Sequence, residues 1–255
     1  MIKIENVEVT GWEAAVRGMR NPMNSWDKGD SKQIGQILKS EEIAPGVERT
    51  YWEPCVPYTS IGPNDLDLMT RLRNAGADHR KFMRMITVYL DITAPLYWWK
   101  EFDTYKVGTV ANSCSTMHKI ADKEFTMEDF SHEHLNDDRS AEVSNLEWFE
   151  HLITHLNRDR RRFIETKDKQ YWWQLIQLLP SSYNQRRTVM LNYEVLANIY
   201  KSRCNHKLDE WRELCNWIEG LPYSELITGS ESETERIDHD SLCETETYKT
   251  VKKGE

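Results

Sequence analysis

No run of apolar residues approaches eighteen, so hydropathy supplies no membrane-spanning helix. The opening segment MIKIENVEV lacks the apolar core of a secretory signal. Cysteine is scarce. The five present (Cys55, Cys114, Cys204, Cys215 and Cys243) are odd in number and follow no framework spacing, which excludes a disulfide scaffold and leaves reduced thiols. Basic charge is also short, with 33 Lys and Arg against 42 Asp and Glu, a net charge of −9 and a pI near 5.5. That balance argues against non-specific binding to nucleic acid or to acidic membranes. A soluble, cytoplasmic protein is the expectation.

Aromatic residues are plentiful, with ten tryptophans and eleven tyrosines in 255 residues, material for a core, an oligomer interface or a planar-ligand pocket. The length suits one domain over residues 1–227, followed by a polar tail over 228–255 expected to be disordered. The densest stretch runs from His79 to His118. Residues 85–92 are apolar and β-branched and predict a strand, ended by Ala94-Pro95. An aromatic helix is expected over 96–102. A loop rich in hydrogen-bonding groups follows, with Asp103, Thr104, Tyr105, Lys106, Thr109, Asn112, Ser113, Ser115 and His118, and such a loop beside an apolar strand is where a ligand site belongs.

Elsewhere the periodicity predicts an N-terminal strand through Ile2 and Val9, then a short helix capped by Thr10. A helix is expected over 31–38, turns or edge strand over 41–63, and a helix capped by Asn64 and stopped by Gly76. Further helices are expected over 141–157, from Trp172 to Leu179-Pro180, over 189–200, and, as the last, over 208–218. The basic run 158–162 suits a solvated helix end near a C-terminal dipole, with phosphate binding as the lesser alternative. His132, His134, Asp137 and Asp138 raise a metal site, but their spacing lacks the i, i+4 geometry of the common zinc motif, so no metal is expected.

The central stretch resembles the signature region of the flavin-dependent thymidylate synthases, in which a histidine precedes a strand ending in Ala-Pro, an aromatic helix and an Arg-His-Arg triplet. His79, Ala94-Pro95, Glu101 (where the family has glutamine), Asn112 and Ser115 fall on that pattern. The segment LLPSSYNQRRTVMLNYEVLANIYKSR, 178–203, is similar to the family's Leu-Pro…Asn…Arg segment, with Asn192 and Arg203 at the matching spacings. Together the matches organise most of residues 64–227. The sequence departs at Thr104-Tyr105-Lys106, which replaces the triplet, and at Met117 and Ile176, which stand where the family has arginines.

The resemblance implies an α+β fold, a small antiparallel sheet packed with several long helices. It implies dUMP methylation using FAD, NADPH and methylenetetrahydrofolate if the chemistry survives, and a homotetramer with flavin sites shared between subunits. The alternative is an inactive family fold serving as a nucleotide-binding or interaction module. A pyrimidine nucleotide would meet Arg203, Ser115, Lys106 and Arg17. FAD would meet His79, Glu101, Asn112 and Asn192. Arg186 and Arg187 are available to replace lost charge, and no catalytic residue is assigned. Simpler roles stand beside these: Arg17 as a solvated surface group, Arg203 as a helix C-terminal cation, and His79 as a structural histidine.

Overall fold

A computed structural model of the chain describes residues 2–138 and 143–229. The expected disordered tail lies, past Gly229, outside the described residues. The architecture is α+β, with a four-stranded sheet in the order β1-β4-β6-β5 formed by Lys3–Thr10 (β1), Thr87–Pro95 (β4), Asn184–Asn192 (β6) and Val110–Ser113 (β5). A separate hairpin pairs Lys32–Ala44 (β2) with Val47–Ser60 (β3). The chain gathers into two compact units. Among the described residues, one comprises 2–5, 89–138, 143–190 and 205–214, the other 6–88, 191–204 and 215–229.

In the first unit, helix α3 spans Leu96–Phe102, the bounds expected from its aromatic run. Trp98, Trp99 and Phe102 are buried on it, and Trp211 of α8 (Asp209–Glu219) packs against Trp98 at 4.8 Å between ring centroids. This cluster makes the end of α3 rigid, since offset and edge-on aromatic pairs stabilise beyond the area they bury. A second core joins Phe125, Phe130, Phe149, Ile153, Leu156 and Leu175 beneath α5 (Asn145–Thr166) and α6 (Lys169–Leu178). Helix α5 continues through the basic run instead of ending near it. Arg160 is held there by the carbonyls of Ala121 and Asp122, and Arg162 lies over the Tyr171 ring. A shorter helix, α4 (Thr116–Lys119), precedes this core.

In the second unit, helices α1 (Trp12–Arg20), α2 (Pro63–Asn74) and α7 (Tyr193–Arg203) pack on the short helical segment Arg80–Met85, and α9 (Glu225–Thr228) packs against α2 and α7. Their shared core includes Trp12, Met69, Phe82, Met83, Tyr193 and Leu196. A buried ion pair ties it together. Asp65 is fully buried and accepts from Arg20 Nε at 2.6 Å, from Ser31 Oγ at 2.6 Å, and from the backbone N–H groups of Ser31 and Asp30. Burial alone raises its pKa, but these hydrogen bonds outweigh that and hold it below the ordinary value of 3.8.

Several sequence expectations are corrected. Residues 31–38 form a strand, not a helix: an irregularity between Ile34 and Gln36 offsets the two-residue period, so Ile34, Ile37 and Leu38 imitated helical spacing while pairing across to Tyr58, Glu53 and Trp52. The Pro45-Gly46 turn, with Gly46 at φ 77, reverses the chain and makes 47–60 a full strand. Gly11, not Thr10, sits at the cap of α1. At α2 the cap position is Gly62, and Asp30 reaches across to accept from the N–H groups of Asn64 and Asp65. Residues 189–192 belong to β6, and α7 begins only at Tyr193, where the Asn192 side chain accepts from Val195 N. The helix over 208–218 is followed by α9.

Candidate functional site

Helix α3 ends at Phe102, and Asp103 closes it with its N–H bonded to the Trp99 carbonyl at 2.9 Å. The chain then turns at Val107-Gly108. Gly108 at φ 78 supplies the left-handed position, and Thr109 N donates to Lys106 O. This delivers Val110 into β5, which runs antiparallel to β6 and pairs Ser113 with Arg187. Between the helix end, the turn and β6 lies a cavity of about 230 Å³, lined by Phe102, Asp103, Tyr105, Lys106, Thr109 and Arg187.

Strand alternation sorts the two adjacent arginines of β6. Arg186 and Thr188 share one face and both bond to Asp91, at 2.6 Å each. Arg187 and Gln185 share the other face. Arg187 donates from Nε to Gln185 Oε1 at 3.0 Å and from Nη1 to Asp103 Oδ1 at 2.8 Å, and its guanidinium carbon lies 4.2 Å from the Trp99 ring centroid. With 15% of its side chain exposed, it is a fixed cation in the cavity wall.

Several polar atoms of the lining are unmatched among the described residues. Thr109 Oγ1 is buried without a hydrogen-bond partner. Lys106 Nζ, Arg187 Nη2 and Asp103 Oδ2 also carry no bond to protein. Buried polar groups are normally satisfied, which makes the Thr109 hydroxyl an exception, whereas Lys106 and Asp103 are exposed and water meets their free atoms. Counting Lys106 and Arg187 against Asp103 leaves the lining net positive. It presents donors for an anion, one ionised acceptor, and the rings of Phe102 and Tyr105.

Of the expected site residues, Lys106 alone lines the cavity. Glu101, in the same unit, accepts from Trp211 Nε1 at 2.9 Å and lies 3.5 Å from His206 Nε2, and so serves the aromatic cluster. Asn112 is exposed on β5, opposite Thr188. Ser115 caps α4, its Oγ accepting from His118 N. In the other unit, Arg17 is exposed and paired with Glu13. His79 is exposed just before the helical segment at Arg80. Asn192 caps α7, and Arg203 ends the same helix, half-buried. Asp103, Thr109 and Arg187 were visible only as members of a polar loop and an arginine pair. The signal for Arg187 was β alternation, hidden while 189–200 read as helical. Among the described residues no group of His, Cys, Asp and Glu is arranged to hold a metal ion.

The elements and their order define the fold of the flavin-dependent thymidylate synthases. Thymidylate synthase X from Helicobacter pylori, solved with FAD and dUMP, superposes with a TM-score of 0.58 at 16% identity, over 89% of this chain and 97% of that one. A second structure of the Helicobacter pylori flavin-dependent enzyme, also complexed with FAD and dUMP, gives 0.57 at 16% identity, over 88% and 97%. A UMP/dUMP methylase, PolB, from Streptomyces cacaoi, bound with 5-Br dUMP, gives 0.56 at 13% identity, over 90% and 95%. No protein-family model matches the chain, and no curated protein matches it by sequence. The resemblance seen in the central stretch is therefore borne out as a likeness of fold. Among the described residues no helix is long and apolar enough to cross a membrane.

Proposed function

We propose that this chain is a divergent flavin-dependent thymidylate synthase-like protein whose cavity holds a pyrimidine nucleotide. The observation that carries it is the cationic wall of the cavity, the exposed Lys106 ammonium and the fixed Arg187 guanidinium, beside two aromatic rings. Lys106 places a mobile point charge on a phosphate, and Arg187, locked by Trp99, Gln185 and Asp103, adds a fixed donor. All three solved relatives were crystallised with dUMP or its 5-bromo analogue, and two also with FAD, which supports the nucleotide class.

The cavity fits the sugar-phosphate end of a nucleotide, but at about 230 Å³ it is smaller than sites that enclose a whole cofactor. FAD in this fold supplies hydride chemistry, and holding it in full requires surface beyond this cavity. The homotetramer implied by resemblance would provide such surface, and with it a single functional domain over 1–227 and a cytoplasmic setting. His79, Glu101, Asn112 and Asn192 toward FAD, and Arg203, Ser115 and Arg17 toward the nucleotide, complete the residue proposal. The replacement of the Arg-His-Arg triplet by Thr104-Tyr105-Lys106 favours a second reading, a nucleotide-binding module without turnover.

Calorimetry with dUMP tests the shared core of both readings. Lys106→Ala weakens binding about tenfold, the loss of one charge-assisted contact worth ~1.4 kcal/mol. An unchanged affinity removes the cavity from the site. The visible spectrum after incubation with FAD and desalting separates the readings: retained flavin supports the enzyme, and a colourless protein that binds dUMP supports the module.

A further inference from the structure

The hairpin of the second unit inverts the ordinary pattern of an amphipathic sheet. Its root is anchored: Ser31 bonds to the buried Asp65, and Gln33 Nε2 donates to Glu13 Oε2 at 3.1 Å. Beyond the root, Ile37, Lys39, Tyr51 and Glu53 share one face, on which Ile37 is buried and the other three are half-buried. The opposite face carries Leu38 directly across from Trp52, with Pro54 and Val56 further along β3. Leu38 is 53% exposed, Trp52 64% and Val56 75%. The ion pair Lys39–Glu53 thus takes the sheltered face, and the apolar side chains take the open one. A contiguous exposed apolar patch marks a surface that another molecule covers, and a two-stranded hairpin is only marginally stable by itself in water.

We infer that this open face docks onto the same face of a second copy of the chain, the two hairpins lying antiparallel across a two-fold axis. The distribution of charge selects that partner. Glu42 and Glu48 stand opposite each other near the tip, a like-charge pair that is unfavourable without a cation. They bond to Gly46 N and Ser40 Oγ, and neither has a cationic partner among the described residues. Lys32 stands at the root, exposed and with no carboxylate partner among the described residues. Between root and tip the open face is uncharged, with Gln36, Leu38, Ser40, Thr50, Trp52 and Pro54. Halfway from Lys32 to Glu42 along β2 lies Ile37, beside the Leu38–Trp52 pair. One axis therefore sets Leu38 and Trp52 of both copies against each other and brings each acidic tip over the other copy's root. At ~3.3 Å per residue the 13-residue strand is about 43 Å long and two strands are about 10 Å wide, so each face offers roughly 400 Å². The pair buries about 800 Å², below the standard size of specific interfaces, which makes the association reversible at micromolar concentration.

Sedimentation and light scattering of the purified full chain test the inference without any nucleotide. Above micromolar concentration the wild type is a dimer or a larger even-numbered assembly. Trp52→Glu weakens the contact at least tenfold, so its mass falls to half that of the wild type. Lys32→Glu weakens it too, by opposing the other copy's acidic tip, and Lys32→Glu combined with Glu42→Lys restores it. That rescue is the signature of self-recognition, in which one strand supplies both charges. Circular dichroism and melting temperature stay at their wild-type values, since all three side chains are exposed. Should Trp52→Glu fail to fold, p-benzoylphenylalanine at position 52 replaces it, and its photo-crosslinks map to residues 36–56 of the other copy. A monomeric wild type, a Trp52→Glu mass equal to the wild type's, a charge swap without rescue, or crosslinks to another segment overturns the inference. None of these outcomes touches the nucleotide reading, which dUMP calorimetry tests separately.

Discussion

Removing the Asp65 carboxylate is the sharpest test of how the second unit holds together. Asp65 is completely buried, and Arg20, its partner at 2.6 Å, is 5% exposed. The carboxylate also accepts from Ser31 Oγ and from two backbone N–H groups, so Asp65→Ala strands three donors and an uncompensated guanidinium inside the fold. Breaking a buried pair by deleting one partner costs about 3–5 kcal/mol, against a total stability of roughly 5–15 kcal/mol for a domain. In a chain of this size, about 2–4 °C is lost per kcal/mol, so the melting temperature falls by about 6–20 °C. Asp65→Asn keeps the shape and some of the bonds and loses less. The assay is urea and thermal unfolding followed by tryptophan fluorescence. In a double-mutant cycle with Arg20→Met, the double variant is less destabilised than the sum of the single variants. A loss below about 1 kcal/mol for Asp65→Ala, or strict additivity in the cycle, would refute the assignment of Asp65 as the organising charge.

Other expectations follow from the same reasoning. Trp98 and Trp99 are both buried, yet Trp99 Nε1 donates to Gln185 O at 2.9 Å while Trp98 Nε1 has no partner among the described residues. Trp99→Phe therefore destabilises more than Trp98→Phe, by about 1–3 kcal/mol, because only the former orphans a carbonyl; equal urea midpoints would contradict this. Asp65 and Glu194 both have depressed pKa values: burial opposes ionisation in each, and Ser31 and Arg20, or Arg84 and Arg80, more than offset it. Depressed carboxylates contribute stability above their ordinary values of 3.8 and 4.5 and lose it as pH falls through the lower folded values. Unfolding midpoints should thus decline below about pH 4, and less steeply in Asp65→Asn. Burial pushes the Cys215 thiol up to about 12, whereas Cys114 is exposed, so among the cysteines of the described residues iodoacetamide followed by mass mapping finds Cys114 modified first and Cys215 last.

Much of the fold was legible because its signals are local. The Ala94-Pro95 boundary and the aromatic run after it set the end of β4 and the bounds of α3, since a proline and a cluster of large side chains constrain the backbone wherever they occur. The apolar spacing of α5 and α8 placed Phe149, Ile153, Leu156, Trp211 and Leu214 inward, and all are buried. The spacing of His79, Ala94-Pro95, Asn192 and Arg203 was enough to suggest the fold. Local spacing failed where a partner strand decides. Ile34, Ile37 and Leu38 took their conformation from β3, and residues 189–192 took theirs from the sheet, because strand pairing is satisfied by residues far away in sequence.

The candidate site divides along the same line. From sequence alone came a polar loop next to an apolar strand, with Lys106 in it, and an arginine pair in want of a role. Only the tertiary structure determined that Arg186 is spent on Asp91 while Arg187 turns to the cavity, a choice made by the two-residue alternation of β6 between its neighbours. Ser115 and Asn192 lie where the family spacing put them, yet their side chains cap helices, because the nearest unsatisfied groups are backbone N–H donors. Motif spacing records where a residue falls along the chain. Which hydrogen bonds it makes is settled by what folding brings within about 3 Å of it.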